Sequence, residues 1–548
     1  MKKLVLSAFL AVAAIAAMPA QVQAQCNPQA PAPIGVSGQI TANTTWTSNN
    51  IYLLNGFVYV RNGATLTIEP GTIIKGDKVS KGTLIIEQGA RIIANGTAAR
   101  PIVFTSNEPV GQRNRGDWGG VIICGRAPVN LVGSPVIEGG VGSTFGGNQP
   151  ADDSGILRYV RIEFPGVAFQ PNSEINGLTL GGVGSGTTIE YVQVYGSGDD
   201  SFEWFGGTVN ARYLVAVAAT DDDFDSDNGY SGNVQFAVTV RDPAEADVSG
   251  STAIESDNNA GGSTATPQTS AVFSNISAFL ANRTATNFTR AMHLRRNTAI
   301  SVLNSVFTGW PQGLTLDGSA TQANATSGAL VLKNNVLAGM TVNYSQHSGG
   351  TYNVQAYFEN ASRGNATYAD ASSLALNADN FGPTTPAGAS PNFLLPTASP
   401  LNTGASFADA KVANSFFTPV AYRGAFGPAG TTNWAAGWTN FNPQLTCYNR
   451  PGSTLSARSG SDQLQGLAVY PNPSTEAANL SFELKRGSAA TVRVLDLTGR
   501  EVATVVAGKT FGAGPQVLAL PAGLPGGVYV ATITTSETSQ SVRFVVSK

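Results

Sequence analysis

Short runs in which apolar and polar residues alternate recur along most of the chain, each only a few residues long and closed by glycine or asparagine. Leu66, Ile68, Glu69, Gly71 and Ile74 return as Leu84, Ile86, Glu87, Gly89 and Ile92, each eighteen positions later. Arg158-Tyr159-Val160-Arg161-Ile162 returns as Glu190-Tyr191-Val192-Gln193-Val194 and again as Arg212-Tyr213-Leu214-Val215-Ala216. Farther on, Val272 and Ile276 reappear thirty residues later as Val302 and Val306, then as Leu332 and Val336. Alternation of period two is the mark of a strand, and helical periodicity is scarce. A unit this short cannot bury its own apolar face, whereas units stacked on one another can. The pattern predicts an all-β chain built as a right-handed parallel β-helix, each coil lying on the one before. Asn-Gly hairpin turns, which antiparallel strands would favour, are not prominent.

Composition narrows the partners. The central region is rich in Gly, Asn, Thr, Ser and Val and poor in Lys, Glu and Met, and the net charge of the whole chain is −3. That balance excludes nucleic acid and anionic membrane surfaces as electrostatic partners. The only histidines are His293 and His347, too few for a His-rich zinc centre and thin material for a Ser-His-Asp triad. Of three cysteines, Cys124 falls in the apolar run Val121-Ile122-Ile123-Cys124, a buried strand. Cys26 and Cys447 stand at the two ends of the main region, where a bridge and two unpaired thiols are both compatible with the spacing.

The termini carry addresses. Met1-Lys2-Lys3, the apolar run Leu4 to Met18 and Val22-Gln23-Ala24 form a secretory signal peptide, residues 1–24. No later apolar run is long enough to span a bilayer. Tyr470-Pro471-Asn472-Pro473, the alternating strand Thr491-Val492-Arg493-Val494-Leu495, the turn Asp496-Leu497-Thr498-Gly499-Arg500, Gly527-Val528-Tyr529-Val530 and the terminal Val542 to Lys548 fit a small immunoglobulin-like β-sandwich. In that order these motifs resemble the type A sorting domain of the type IX secretion system. The resemblance implies that residues 464–548 engage the type IX secretion machinery. It also implies that the passenger, residues 25–449, works as a secreted or cell-surface protein, and that the sorting domain is cleaved on exit. The Ser- and Gly-rich linker 450–463 suits such a cut.

Within the passenger, Trp118-Gly119-Gly120-Val121-Ile122, Gly206-Gly207-Thr208-Val209-Asn210 and the Trp434 to Phe441 stretch resemble secreted bacterial right-handed parallel β-helix proteins of uncharacterised function, across Ile51 to Pro443. The aromatic segment after Tyr422, with Phe426, Trp434, Trp438 and Phe441, reads as a cap over one open end, or else as a sugar-stacking platform. Gly35 to Trp46 reads as the cap at the other end.

One region breaks the low charge. Asp199-Asp200-Ser201-Phe202-Glu203 and Asp221-Asp222-Asp223-Phe224-Asp225 are twenty-two residues apart, the interval that separates Tyr191 from Tyr213. A shared coil register would stack these acids at the inter-strand distance of about 4.8 Å. Two charges at that distance repel by roughly 3 kcal/mol at an effective dielectric of about 20. A proton, a cation or an arginine must relieve this. Asp223, Asp225 and Asp227 form an Asp-x-Asp-x-Asp run, but Asn228 and Val234 stand where an EF-hand needs Gly and Glu. The expected metal set is Asp199, Asp200, Asp221, Asp223, Asp225 and Asp227 around Ca²⁺, with solvated acidic turns as the alternative. Phe202 and Phe224 are expected to stack in the core.

For catalysis, Asp199, Asp200 and Asp222 are the candidate carboxylates of a glycoside hydrolase, and Arg295, with Arg290 and Arg296, the candidate base of a Ca²⁺-dependent polysaccharide lyase. The arginines also read as ion-pair partners of the acids. The expected function is adhesion or glycan binding by a face with Ca²⁺-stabilised acidic coils, the alternative being an enzyme that degrades acidic polysaccharide.

Overall fold

The structure, a computed structural model, describes residues 31–170, 173–346, 351–382, 391–452, 464–475, 477–496, 500–535 and 539–547. The expected signal peptide, Cys26, His347 and all but the first residues of the linker lie outside the described residues. Cys447 is disulfide-bonded, and Cys124 is a buried free thiol.

A 26-stranded parallel sheet winds through the passenger, every strand pairing with strands one coil away. Each coil shows three faces. Residues 192–195, Phe202–Phe205 and 210–212 make one turn, and 214–217, Phe224–Asp227 and 233–235 make the next. The corner between the third face and the first is a single residue in the left-handed region, Tyr191 at φ 55° and Tyr213 at φ 59°. Strained corners in consecutive coils bring their side chains into one column, so the Tyr191 and Tyr213 rings stack 4.3 Å apart. Inside, Leu157, Ile189, Phe202, Phe224, Leu214 and Ile254 belong to one continuous core. Burial of each contributes roughly 2 kcal/mol, which offsets the ordering of so many short strands.

The repeats were legible with two exceptions. The Arg158, Glu190 and Arg212 segments pair in the expected register. The eighteen-residue repeat, however, is not a coil: Leu66 lies against Ile92 and Leu84 against Val58. What repeats there is a strand, corner and strand used on successive faces of the coil. The thirty-residue step holds from Val302 to Leu332 and from Val306 to Val336. At Val272 it slips by one, since Phe273 lies on Val302 and turns inward while Val272 packs outside with Phe417.

The aromatic segment after Tyr422 does not cap an end. It is the later part of a strap, residues 391–452, that runs back along the solenoid. Leu395 and Leu401 pack on Val306 and Val336; Phe426, Trp438 and Phe441 cover Val215, Val217, Val238 and Val240; Tyr448 reaches Ile51, Ile73 and Val103. The reason is the outward apolar row on the first face, which alternation leaves facing water unless something covers it. The strap is pinned by Gln193, which accepts from the Asn440 amide at 2.8 Å and donates to the Asn440 carbonyl at 2.9 Å. At the C-terminal end of the helix Val354, Tyr357 and Phe358, on a short α-helix, close the core. Gly35 to Trp46 is the first rung itself, paired in parallel with the second.

The described residues between 464 and 547 form two antiparallel sheets of three and four strands. Val492 and Val494 point into their shared core and Arg493 out of it, as the alternation predicts.

Candidate functional site

The outward positions of the second face form a single column: Ile85, Ile122, Thr179, Glu203, Asp225, Glu255, His293 and Thr315. Its composition changes from apolar to acidic to basic along the axis. The apolar part is covered by the insertion 125–154, whose Ile137, Val141 and Phe145 pack on Ile85 and Ile122. Phe202 and Phe224 sit on the opposite side of the same strands, rings 5.7 Å apart in the core, as expected.

Beside the column, the loops entering the second face carry Asp199-Asp200 and Asp221-Asp222. The Asp222 amide donates to the Asp200 carboxylate at 2.7 Å, and the Thr252 amide to the Asp222 carboxylate at 2.5 Å. Each acid is thus held by the next coil. Close loop stacking requires glycine: Gly166 has φ 96°, and a Cβ there would lie 2.3 Å from the Gly198 nitrogen.

Three carboxylate triads result: Asp199, Asp200 and Asp221; Asp200, Glu203 and Asp225; Asp222, Asp225 and Glu255. Within each, ligand oxygens lie within 4.8 Å of one another. Asp200, Glu203 and Asp222 are 6%, 8% and 4% exposed, so water screens them poorly. Among the described residues none of Asp199, Asp200, Glu203, Asp221, Asp222 and Asp225 forms an ion pair, and Oδ1 of Asp225 is buried without a hydrogen bond. Burial first, then neighbouring carboxylates, pushes Asp199, Asp200, Glu203, Asp222 and Asp225 well above the ordinary carboxylate range. Asp221 is pushed up to about 6, chiefly by burial.

At the basic end the charges are balanced. Arg295 bonds Glu255, and through Nε reaches Asp257 at 2.8 Å; Arg296 reaches Asp257 at 2.6 Å. His293 places Nδ1 3.0 Å from Glu255 and Nε2 3.6 Å from Asp317. Burial alone would raise the Glu255 carboxyl, but the His293 hydrogen bond and Arg295 outweigh it and leave it low. Burial would lower the Arg295 guanidinium, yet Glu255 and Asp257 push it up, the wrong direction for a base. For Arg295 and Arg296 the ion-pair role is the one the geometry realises, whereas Arg290 forms no ion pair among the described residues.

Two expected ligands stand apart from the triads. Asp223 lies in a fully buried pair with Arg241, 3.1 Å away, because its position falls one residue before the strand and faces Thr239 and Arg241. Asp227, on the outward side of Phe224–Asp227, accepts from the Asn228 amide and is pushed up to about 7 by burial. Conversely, Glu203, Glu255 and His293 join the site without having been singled out as ligands. Glu203 shares the twenty-two-residue step with Asp225, and Glu255 follows Asp225 by thirty, both readable intervals. The 38 residues from Glu255 to His293 include loops that no periodicity predicts.

Parallel coils followed by an antiparallel C-terminal module define the class: a parallel β-helix protein with a C-terminal β-sandwich. Residues 38–379 match the family profile described as a pectate-lyase like beta helix domain, and 468–547 match the secretion system C-terminal sorting domain. The first match spans more than half of the chain, which therefore belongs to the pectate-lyase-like beta helix family. No curated protein matches the chain. The sorting tail marks it for the cell surface or the medium, and no helix among the described residues is long and apolar enough to cross a membrane.

Proposed function

We propose that the passenger is a non-catalytic binder of acidic glycans at the cell surface, and that Ca²⁺ held by the carboxylate column both stiffens the middle coils and bridges to the ligand's carboxylates. The observation that carries this reading is Asp225, shared by two triads, with one oxygen buried and unpartnered. Carboxylate oxygens that lie within 4.8 Å of one another can be bridged by calcium–oxygen bonds of about 2.4 Å. A hard cation there removes several repulsions at once, which a single proton does not. Arg295 is already committed to two carboxylates, which takes it out of the role of a lyase base. That favours binding over turnover. Support for an acidic glycan comes from the pectate-lyase-like fold and export to the exterior.

The test is to titrate purified chain against acidic and neutral polysaccharides with Ca²⁺ or EDTA, while following reducing ends and the absorbance of unsaturated products. Calcium-dependent retention of acidic glycan without new ends is expected. Product formation that Asp200→Asn or Asp222→Asn abolishes would establish the enzyme instead.

A further inference from the structure

A cleft of about 420 Å³ lies between the strap and the coils, lined by Phe164, Tyr195 and Gly196 from the coils, Arg115 and Asp242 from neighbouring loops, and Asn442 from the strap. Its floor is a gap in a column. Phe164, Gly196 and Ala218 are the corner residues that follow the first face in three successive coils, and all take left-handed backbone, at φ 61°, 62° and 56°. Their amides donate in turn to the carbonyls of Tyr195, Val217 and Val240, which fixes the register. Of the three, only Gly196 has no side chain to place there. A Cβ on it would meet Phe164 at 3.6 Å and Arg115 at 3.8 Å, ordinary contacts, so packing does not require the glycine. What the glycine leaves is space.

The strap buries Val217 and Val240, the next residues of the outward row that Tyr195 belongs to, yet leaves Tyr195 half-buried. The Tyr195 hydroxyl and the Asn442 side-chain amide form no hydrogen bond among the described residues. Arg115 holds Asp242 at 3.0 Å, so a donor and an acceptor of opposite charge stand side by side. The Phe164 and Tyr195 rings meet edge to face, centroids 5.6 Å apart. Aromatic walls with a few convergent donors and acceptors suit a ligand that carries hydroxyls on an apolar ring skeleton. We propose that the cleft binds one neutral pyranose unit of a glycan, without calcium and apart from the acid column. The Tyr195 hydroxyl and the Asn442 amide bond ring hydroxyls, and the Arg115 and Asp242 pair spans two adjacent ones. Asn442 is presented rigidly, because Asn440, two residues before it, is pinned to Gln193 through both its amide and its carbonyl.

Calorimetric titration and saturation-transfer NMR of the purified full chain in EDTA, with the methyl glycosides of glucose, galactose, mannose and galacturonic acid as probes, test this. At least one neutral glycoside is expected to bind. Tyr195→Phe, which removes a single oxygen, is expected to weaken that binding about fivefold with no change in melting temperature. Gly196→Asn, whose side chain tolerates the left-handed corner and fills the floor, is expected to abolish it. No saturation transfer from any neutral glycoside overturns the proposal, as does unchanged affinity in Tyr195→Phe. Binding of the galacturonide alone, or binding that needs Ca²⁺, overturns it equally. None of these failures touches calcium-dependent retention of acidic polysaccharide, on which the reading of the acid column stands or falls.

Discussion

The backbone amide of Asp222 donates a 2.7 Å hydrogen bond to the carboxylate of Asp200, its counterpart one coil earlier. The two acids are in register, buried and adjacent, so neither can change its charge without the other responding.

Asp225 belongs to two triads, and its replacement separates metal binding from folding. Asp225→Asn is expected to weaken calcium binding by about tenfold or more. In EDTA it is expected to leave the melting temperature equal to wild type or higher, because one buried repulsion is gone. Differential scanning fluorimetry with Ca²⁺ and with EDTA reads both effects.

Without metal, stability should fall as pH rises. The acids have folded values above their unfolded ones, so their contribution is present in full below about pH 4 and is lost as pH rises through the folded values, about 6 for Asp221 and about 7 for Asp227. Denaturant midpoints in EDTA are therefore expected to decline from pH 4.5 to pH 7.5, to about the extent that saturating Ca²⁺ restores at the upper end. A flat profile in EDTA contradicts the burial of unpaired carboxylates.

Asp223 stands outside the metal set, and Arg241 shows why. Arg241→Met leaves a buried carboxylate uncompensated and is expected to cost about 3–5 kcal/mol, most of which Asp223→Asn in the same chain recovers. Calcium affinity should be unchanged in the Asp223→Asn, Arg241→Met double variant. Urea unfolding and calorimetry measure the two quantities.

The strap holds through Trp438, which is fully buried with its ring edge-on to Tyr159 and Tyr191. Trp438→Ala is expected to cost about 3–5 kcal/mol and to expose the 391–452 segment to protease. Hydrogen exchange should rise along the strap before it rises in the coils.

Much of this molecule is written in local pattern. Stacked strands must present like to like, so the Arg158, Glu190 and Arg212 repeat gave the coil, and the twenty-two-residue interval placed Asp199 with Asp221 and Asp200 with Asp222 on neighbouring rungs. The alternation in Thr491 to Leu495 likewise marked a strand with one buried side. Where coil lengths change, the interval fails: Val272 slipped by one residue, and His293 joined the column unannounced across 38 residues.

Sequence alone determined a coiled stack of short strands, an export tail and a run of acids that must share one side, because period and spacing are properties of the chain. Tertiary structure decided which charges find partners. Arg241 takes Asp223, Arg295 takes Glu255, the strap covers the first face instead of an end, and the 125–154 insertion delivers Glu138 to Asn176. Those outcomes depend on where loops of irregular length return in space, and loop closure follows from packing of the whole solenoid, not from any repeat within it.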